Sequence, residues 1–282
     1  MRIVRAETAG FCMGVGLALK KLDRLLEEHD GKDPVAMLGP IIHNPQVLEQ
    51  YAARGVVLAR TIEEVPADGY VIIRAHGIPR RDEQSLRERG VTIVDATCPK
   101  VKKAQLLIAE QAELGKTLLL YGEADHPEVK GLLSHAPKHH IFEDLDALRR
   151  IELDPGETYF LAAQTTQDKR HFAEIETHLR ETVDADLHVL RTICDATRQR
   201  QDEAIRLAGE TDFMIVVGGK SSGNTRRLAS VIEAAGTPCL HVETVDELST
   251  QALPDCETVG LTAGASTPGE IIDAVETYLN AL

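Results

Sequence analysis

Among the residue types of this 282-residue chain, cysteine gives the most information about which chemical reactions the protein could carry out. The chain has five cysteines, and three of them, Cys12, Cys98 and Cys194, follow strand-like segments. A disulfide framework is not expected for an odd number of cysteines in a chain that opens on a strand rather than an export signal. Three thiolates instead suit a soft metal centre.

The cysteines alone leave the type of metal centre open. A [4Fe–4S] cluster normally takes four thiolate ligands, so three cysteines would leave one iron free to bind a substrate. Zinc on three cysteines would keep its fourth tetrahedral position open. Free cysteines also serve as small buried apolar residues, and we expect only that role for Cys239 and Cys256, which match no repeated feature.

The three cysteines mark an internal repeat. Each follows an apolar strand and precedes an amphipathic helix, and successive cysteines lie 86 and 96 residues apart. Such a period predicts three equivalent β/α units, since strands and helices alternate throughout. We expect these units at residues 14–97, 98–193 and 194–282, with the N-terminal strand in residues 1–13 completing the third. The three units are then expected to close into a ring.

Two further strand ends in each predicted unit carry polar turns. In parallel sheets, ligands bind beyond the carboxyl ends of the strands, where helix N-termini present free N–H groups. These turns are therefore candidates for an anionic ligand. They contain His43 and His76 in the first unit, His126 and Thr165 in the second, and Ser222, Asn224 and Ser266 in the third.

The charge balance excludes some classes of function. The net charge is −14, from 31 basic and 45 acidic residues, which disfavours nucleic-acid binding. We expect the basic stretches "RQRQ" (198–201) and "RRL" (226–228) to lie on solvated helix faces. No apolar run approaches the roughly 18 residues of a membrane span, so the sequence predicts a cytoplasmic protein without membrane partners.

Eight motifs, in order along essentially the whole chain, carry a family resemblance: "GFCMGV", "GPIIHN", "AHGIP", "DATCPKV", "HPEVKG", "QTTQD", "SSGNTRRL" and "TAGAST". Together they resemble the LytB/IspH family of 4-hydroxy-3-methylbut-2-enyl diphosphate reductases. The resemblance implies an α/β fold of three pseudo-equivalent units, each with a mainly parallel sheet, arranged as a cloverleaf around a central metal cluster. It also implies an oxygen-sensitive [4Fe–4S] cluster with one open iron, held by Cys12, Cys98 and Cys194.

The resemblance further implies roles for the polar turns. Glu128, Thr165 and His126 would be catalytic, with Glu128 and Thr165 handling protons. The expected diphosphate and substrate ligands are His43, His76, His126, Thr165, Ser222, Asn224 and Ser266. One departure is Gly223, where many relatives have a second serine. A backbone N–H could replace the missing hydroxyl because glycine allows close approach.

The implied reaction is the two-electron, two-proton removal of the allylic hydroxyl, which yields isopentenyl and dimethylallyl diphosphate. The sequence contains no nicotinamide or flavin fingerprint, so we expect a separate electron donor such as a ferredoxin or flavodoxin. Two other functions stay open: a zinc hydrolase built on the same cysteines, and a non-catalytic diphosphate-binding protein.

Overall fold

A computed structural model of the chain describes residues 1–29 and 33–282. Its strands are β1 (Arg2–Arg5), β2 (Val35–Leu38), β3 (Val57–Ala59), β4 (Tyr70–Ile73), β5 (Thr92–Asp95), β6 (Thr117–Tyr121), β7 (His139–Phe142), β8 (Tyr159–Ala163), β9 (His188–Val189), β10 (Phe213–Val217), β11 (Cys239–Val242) and β12 (Thr258–Ala263). Its helices are α1 (Met13–His29), α2 (Pro45–Ala53), α3 (Arg80–Glu88), α4 (Pro99–Glu113), α5 (Pro127–Leu133), α6 (Leu145–Arg149), α7 (Lys169–Thr182), α8 (Asp195–Ala208), α9 (Gly223–Ala234), α10 (Val245–Ser249) and α11 (Gly269–Asn280).

The strands form three four-stranded parallel sheets with the same internal order. The sheets are β3-β2-β4-β5, β7-β6-β8-β9 and β11-β10-β12-β1. In the third sheet β1 takes the place that β5 and β9 hold in the other two, since it pairs with β12. The expected α/β fold of three equivalent parallel sheets is therefore confirmed.

The sheets are buried on both faces, as parallel sheets require. In β6, Leu118 and Leu120 pack into one apolar cluster, whereas Leu119 and Tyr121 pack into another. All four side chains are at most 1% exposed. The near-continuous apolar runs of the central strands thus reflect helices on both sides, which leaves strand ends and turns to carry polar chemistry.

Contacts within the chain define two compact units. The first contains the sheet β11-β10-β12-β1 and comprises Met1–Gly16, Ile42–Gln50 and Asp195–Leu282. The second contains the other two sheets and comprises Leu17–Ile41 and Tyr51–Cys194. The three boundaries expected from the repeat stay a prediction.

The structure corrects one expectation about surface charge. Arg198 and Gln199 are exposed, but Arg200 and Gln201 are 4% and 2% exposed. They lie on the inner face of α8 because they continue a helical stripe with Thr197. Within the described ranges, no helix has the length and apolar composition needed to cross a bilayer.

Candidate active site

The three predicted cluster ligands share one local position, directly before a helix. Cys12 precedes α1, Cys98 precedes α4, and Cys194 precedes α8. All three are partly exposed, and none of them is in a disulfide. The partial positive charge of a helix N-terminus stabilises a thiolate. Each of these positions is therefore electrostatically suited to a negatively charged metal ligand.

The backbone holds the three cysteines in equivalent ways. Each amide N–H donates to the carbonyl oxygen two residues beyond the end of β12, β4 or β8. The donor and acceptor pairs are Cys12 and Ala265 at 3.2 Å, Cys98 and Ala75 at 2.9 Å, and Cys194 and Thr165 at 2.9 Å. This equivalence shows that the three cysteines occupy the same register position beside their respective sheets.

The other two cysteines lie in different surroundings. Cys239 is in the edge strand β11, where burial and the nearby Glu233 carboxylate raise its pKa to about 11. Burial and the Asp212 and Asp255 carboxylates also raise the pKa of Cys256. Both residues are therefore protonated thiols at neutral pH. Unlike these two, each of Cys12, Cys98 and Cys194 lies in a position that suits a thiolate ligand.

In the first compact unit, the predicted diphosphate ligands lie around the loop before α2. The Ser266 hydroxyl donates to the His43 carbonyl oxygen at 3.2 Å. The same carbonyl packs against Gly219, where a Cβ atom would lie 2.6 Å from it. The Ser222 hydroxyl caps α9 by accepting the Thr225 N–H at 3.4 Å. The unit therefore brings polar turns from three segments together.

Asn224 is the clearest candidate donor in this group. Its side chain is 7% exposed, and its Nδ2 atom has no hydrogen-bond partner among the described residues. A buried unsatisfied amide is costly unless a ligand completes it. Gly223 begins α9, so its N–H is one of the helix-terminal amides without an intrahelical acceptor. A phosphate would satisfy both groups.

In the second compact unit, Glu128 and Thr165 form a buried pair. The Thr165 N–H donates to Glu128 Oε1 at 2.6 Å, and the Thr165 hydroxyl lies 2.8 Å from Glu128 Oε2. The two residues are 2% and 4% exposed. Since the Thr165 carbonyl accepts the Cys194 N–H, Thr165 connects the carboxyl group directly to a predicted cluster ligand.

His126 adjoins this pair, and His76 adjoins His126. His126 caps α5, with its Nδ1 atom accepting the Glu128 N–H at 3.1 Å. A neutral imidazole that accepts through Nδ1 carries its proton on Nε2, so His126 can donate through Nε2. The His76 and His126 rings lie edge to face with centroids 5.4 Å apart. The sequence-predicted residues of this unit are thus grouped.

Two opposing effects act on the acidity of Glu128. It lies in the first turn of α5, where the helix dipole and the Thr165 hydrogen bonds stabilise the carboxylate. Burial acts in the other direction and is the largest effect, so the pKa of Glu128 rises to about 7. A carboxyl group that is partly protonated near neutral pH is suited to general acid catalysis.

We expect the raised pKa of Glu128 to make the metal-free protein less stable at higher pH. The folded-state pKa of about 7 exceeds the reference value of 4.5. Stability from the protonated group is therefore fully present below pH 4.5 and is lost as pH rises through about 7. The expected loss of unfolding free energy is about 3 kcal/mol. Glu128→Gln should not show this loss.

Anaerobic urea unfolding between pH 4 and pH 8 measures this difference. Glu174→Gln provides the matched control, because Glu174 is an exposed residue on α7. The control should follow wild type across the pH range, while Glu128→Gln should become progressively more stable than wild type. Parallel curves for wild type and Glu128→Gln would contradict the raised pKa.

Sequence reasoning missed one residue that supports the Cys12 turn. The buried guanidinium of Arg200 donates to the Gly10 carbonyl oxygen, two residues before Cys12. Its spacing from Thr197 and Ala204 along α8 was the available signal, since these residues share the buried face. Arg200 thus connects the helix after Cys194 to the turn that carries Cys12.

Comparison with known proteins gives full-length matches. A sequence model of the LytB protein family matches residues 3–280. The 4-hydroxy-3-methylbut-2-enyl diphosphate reductase of Solidesulfovibrio magneticus is 55% identical over 285 residues, which span all of both chains. The protein of the same name from Aquifex aeolicus is 39% identical over 99% of this chain and 96% of its own.

Solved structures agree with these matches. The E-1-hydroxy-2-methyl-but-2-enyl-4-diphosphate reductase of Plasmodium falciparum matches with a TM-score of 0.93 and 27% identity, over 100% of this chain and 87% of that chain. A structure of (E)-4-hydroxy-3-methyl-but-2-enyl diphosphate reductase, the terminal enzyme of the non-mevalonate pathway, matches all of both chains with a TM-score of 0.69 and 38% identity. The chain belongs to the LytB protein family.

Proposed function

We propose that the chain reduces 4-hydroxy-3-methylbut-2-enyl diphosphate to isopentenyl and dimethylallyl diphosphate, the last step of the non-mevalonate pathway. The observation that carries this proposal is the contact series Glu128–Thr165–Cys194. In this series Thr165 alone separates the Glu128 carboxyl group, which has a pKa of about 7, from Cys194, a predicted cluster ligand. Reductive removal of a hydroxyl group needs both electrons and protons at one site.

Family membership implies an iron–sulfur cluster. We propose that Cys12, Cys98 and Cys194 hold it as a [4Fe–4S] cluster with one iron left open. When bound, the cluster would supply electrons and a Lewis-acidic iron. The equivalent backbone hydrogen bonds of the three cysteines support this ligand set.

We propose that the diphosphate group is held by hydrogen-bond donors. These are the imidazoles of His43, His76 and His126, the hydroxyls of Ser222 and Ser266, the amide of Asn224 and the backbone N–H of Gly223. The burial of Asn224 and Ser222 supports this role, because hydrogen bonds to a charged ligand are strengthened where water is excluded.

Proton delivery belongs to the second compact unit in this proposal. Below about pH 7 Glu128 is protonated and can donate to the Thr165 hydroxyl, which passes a proton toward the departing hydroxyl group. His126 orients Glu128 by accepting its backbone N–H and also binds the substrate. Thr165 contacts the substrate through its hydroxyl group.

We further propose that a ferredoxin or flavodoxin supplies the electrons and that the protein acts in the cytoplasm. The fold is proposed to divide at the repeat boundaries, into residues 14–97, 98–193 and 194–282 with 1–13. The same four-strand order in all three sheets supports this division.

Anaerobic purification followed by metal and sulfide analysis tests the proposal. We expect iron and sulfide in near-equal amounts, with conversion of the allylic diphosphate when dithionite is added. Near-stoichiometric zinc without sulfide would instead favour a hydrolase on the same cysteines. Iron and tight substrate binding without any conversion would favour a diphosphate-binding protein.

We expect His43→Ala and His76→Ala each to weaken substrate binding at least tenfold and to leave the iron content unchanged. A charge-assisted hydrogen bond contributes about 1.5–3 kcal/mol, which corresponds to such a loss. Calorimetric titration of the oxidised protein with substrate measures the affinity. His178→Ala, a change at a partly exposed residue on α7, is the control. Unchanged titration curves would remove both histidines from the proposed site.

A further inference from the structure

A basic surface lies beside Cys98 in the second compact unit. The first nine residues of α1 and the first eleven of α4 contain no acidic residue, although the whole chain has 45 acidic and 31 basic residues. The lysines in these two segments are Lys20, Lys21, Lys100, Lys102 and Lys103. These two segments therefore carry five positively charged side chains and no negatively charged one, whereas the chain as a whole is acidic.

Helix stability does not explain this charge. Lys100 and Lys102 lie in the first turn of α4, which contains no acidic residue. The positive end of the helix dipole disfavours cations in the first turn. Residues that are unfavourable for their own helix, and that no other structural contact explains, are commonly found at functional sites.

Asp95 brings lysines from the two helices together. Lys21 of α1 donates to the Asp95 carbonyl oxygen at 2.5 Å, and Lys102 of α4 lies 3.4 Å from the Asp95 carboxylate. Asp95 ends β5, three residues before Cys98. Burial and the positive charges of Arg80 and Lys102 lower the pKa of His135 to about 4. The charge of Lys102 therefore still acts on its surroundings.

Exposed apolar side chains accompany the lysines. Leu17 is 40% exposed, one turn before Lys21 on α1, and Leu106 is 57% exposed, one turn after Lys102 on α4. We name the group Leu17, Lys20, Lys21, Lys102, Lys103 and Leu106 the Cys98 surface. Apolar contacts combined with charged groups are typical of protein interfaces.

We propose that the Cys98 surface docks an acidic one-electron carrier protein. This inference rests on the proposed function, in which Cys98 holds the cluster and electrons come from another protein. Each docking event passes one electron from the reduced carrier to the cluster, with no bond made or broken, and two events serve one substrate. Charge complementarity favours this partner because opposite charges accelerate association, whereas the chain's net charge of −14 would otherwise repel it.

Electron transfer in the absence of substrate tests the inference. A plant-type [2Fe–2S] ferredoxin of net negative charge, reduced beforehand, is mixed with oxidised holoprotein in an anaerobic stopped-flow instrument. In Lys102→Gln/Lys103→Gln we expect the second-order rate constant to fall about five- to tenfold at low ionic strength. The deficit should disappear at about 0.5 M salt, where screening is strong.

The matched control is Lys116→Gln/Lys138→Gln, which removes the same charge beside the amino ends of β6 and β7. It should stay within twofold of wild type, and so should both variants with dithionite as reductant. Carbodiimide cross-linking, performed with metal-free and with loaded protein, should join ferredoxin carboxylates to Lys20, Lys21 or Lys103.

Several results would overturn the inference. They are equal slowing in both variants, an unchanged rate in Lys102→Gln/Lys103→Gln, no transfer from ferredoxin to wild type, or an equal loss of rate with dithionite. Failure of the proposed function is a separate result. In that case the wild-type protein accepts electrons from ferredoxin but does not convert the allylic diphosphate.

Discussion

Glu128→Gln is expected to lower turnover about 10²–10⁴-fold, the usual range for loss of a general acid. In this structure the substitution removes the acidic proton but can keep the hydrogen bonds of the side chain. A glutamine carbonyl can accept the Thr165 N–H in place of Oε1, and its NH₂ can donate to the Thr165 hydroxyl in place of Oε2. Iron content and substrate affinity should therefore match wild type. Single-turnover conversion with dithionite measures the chemical step without the electron-carrier protein.

The pH profile separates an acid from a structural role. Since the pKa of Glu128 is about 7, the wild-type single-turnover rate should be highest below pH 7 and fall as the carboxyl group ionises. Glu128→Gln should show no such fall, and the exposed control Glu174→Gln should follow wild type. A Glu128→Gln rate within a few-fold of wild type would show that the proton comes from elsewhere, with His126 as the next candidate.

The central strands of the sheets are predictable because they consist almost entirely of apolar residues. Segments such as "TLLLYG" and "TYFLAA" are apolar on both faces, as central parallel strands must be. The edge strands β3 and β7 are not predictable in this way. They are short and partly exposed, and buried and exposed side chains do not alternate along them. The repeat does indicate them, because both hold the edge position that β11 holds in the third sheet.

The sequence is sufficient to predict which turns carry the polar residues of the candidate site. The residues of each turn are local in sequence, and the repeat aligns the turns of different units. The contacts between turns were not predictable. The Thr165 carbonyl accepts from Cys194 while its hydroxyl and N–H contact Glu128, an arrangement set by tertiary packing. The stretch "RQRQ" was predicted to be exposed because it is charged. The helical spacing of Arg200 from Thr197 and Ala204 indicates instead that Arg200 is buried.

Replacing any one of Cys12, Cys98 and Cys194 by serine is expected to remove most of the bound iron, because a neutral hydroxyl group is a far weaker ligand for iron–sulfur clusters than a thiolate. Loss of fold would not explain the result, since serine is a favourable residue directly before a helix. Cys98 is the N-cap of α4, and Cys12 Sγ accepts the Val15 N–H at 3.5 Å, a bond that a serine hydroxyl makes well.

Cys239→Ser and Cys256→Ser are the matched controls, because each makes the same chemical change at a thiol whose pKa is raised. Iron and sulfide analysis of the five variants, purified anaerobically, measures cluster content, and urea unfolding of the metal-free proteins measures stability. The controls should keep wild-type iron. The three ligand variants should unfold near the wild-type midpoint while binding little iron, a combination that a purely structural cysteine cannot produce. Iron loss in Cys239→Ser as large as in the other three would contradict the assignment, since β11 holds its thiol within an edge strand rather than before a helix.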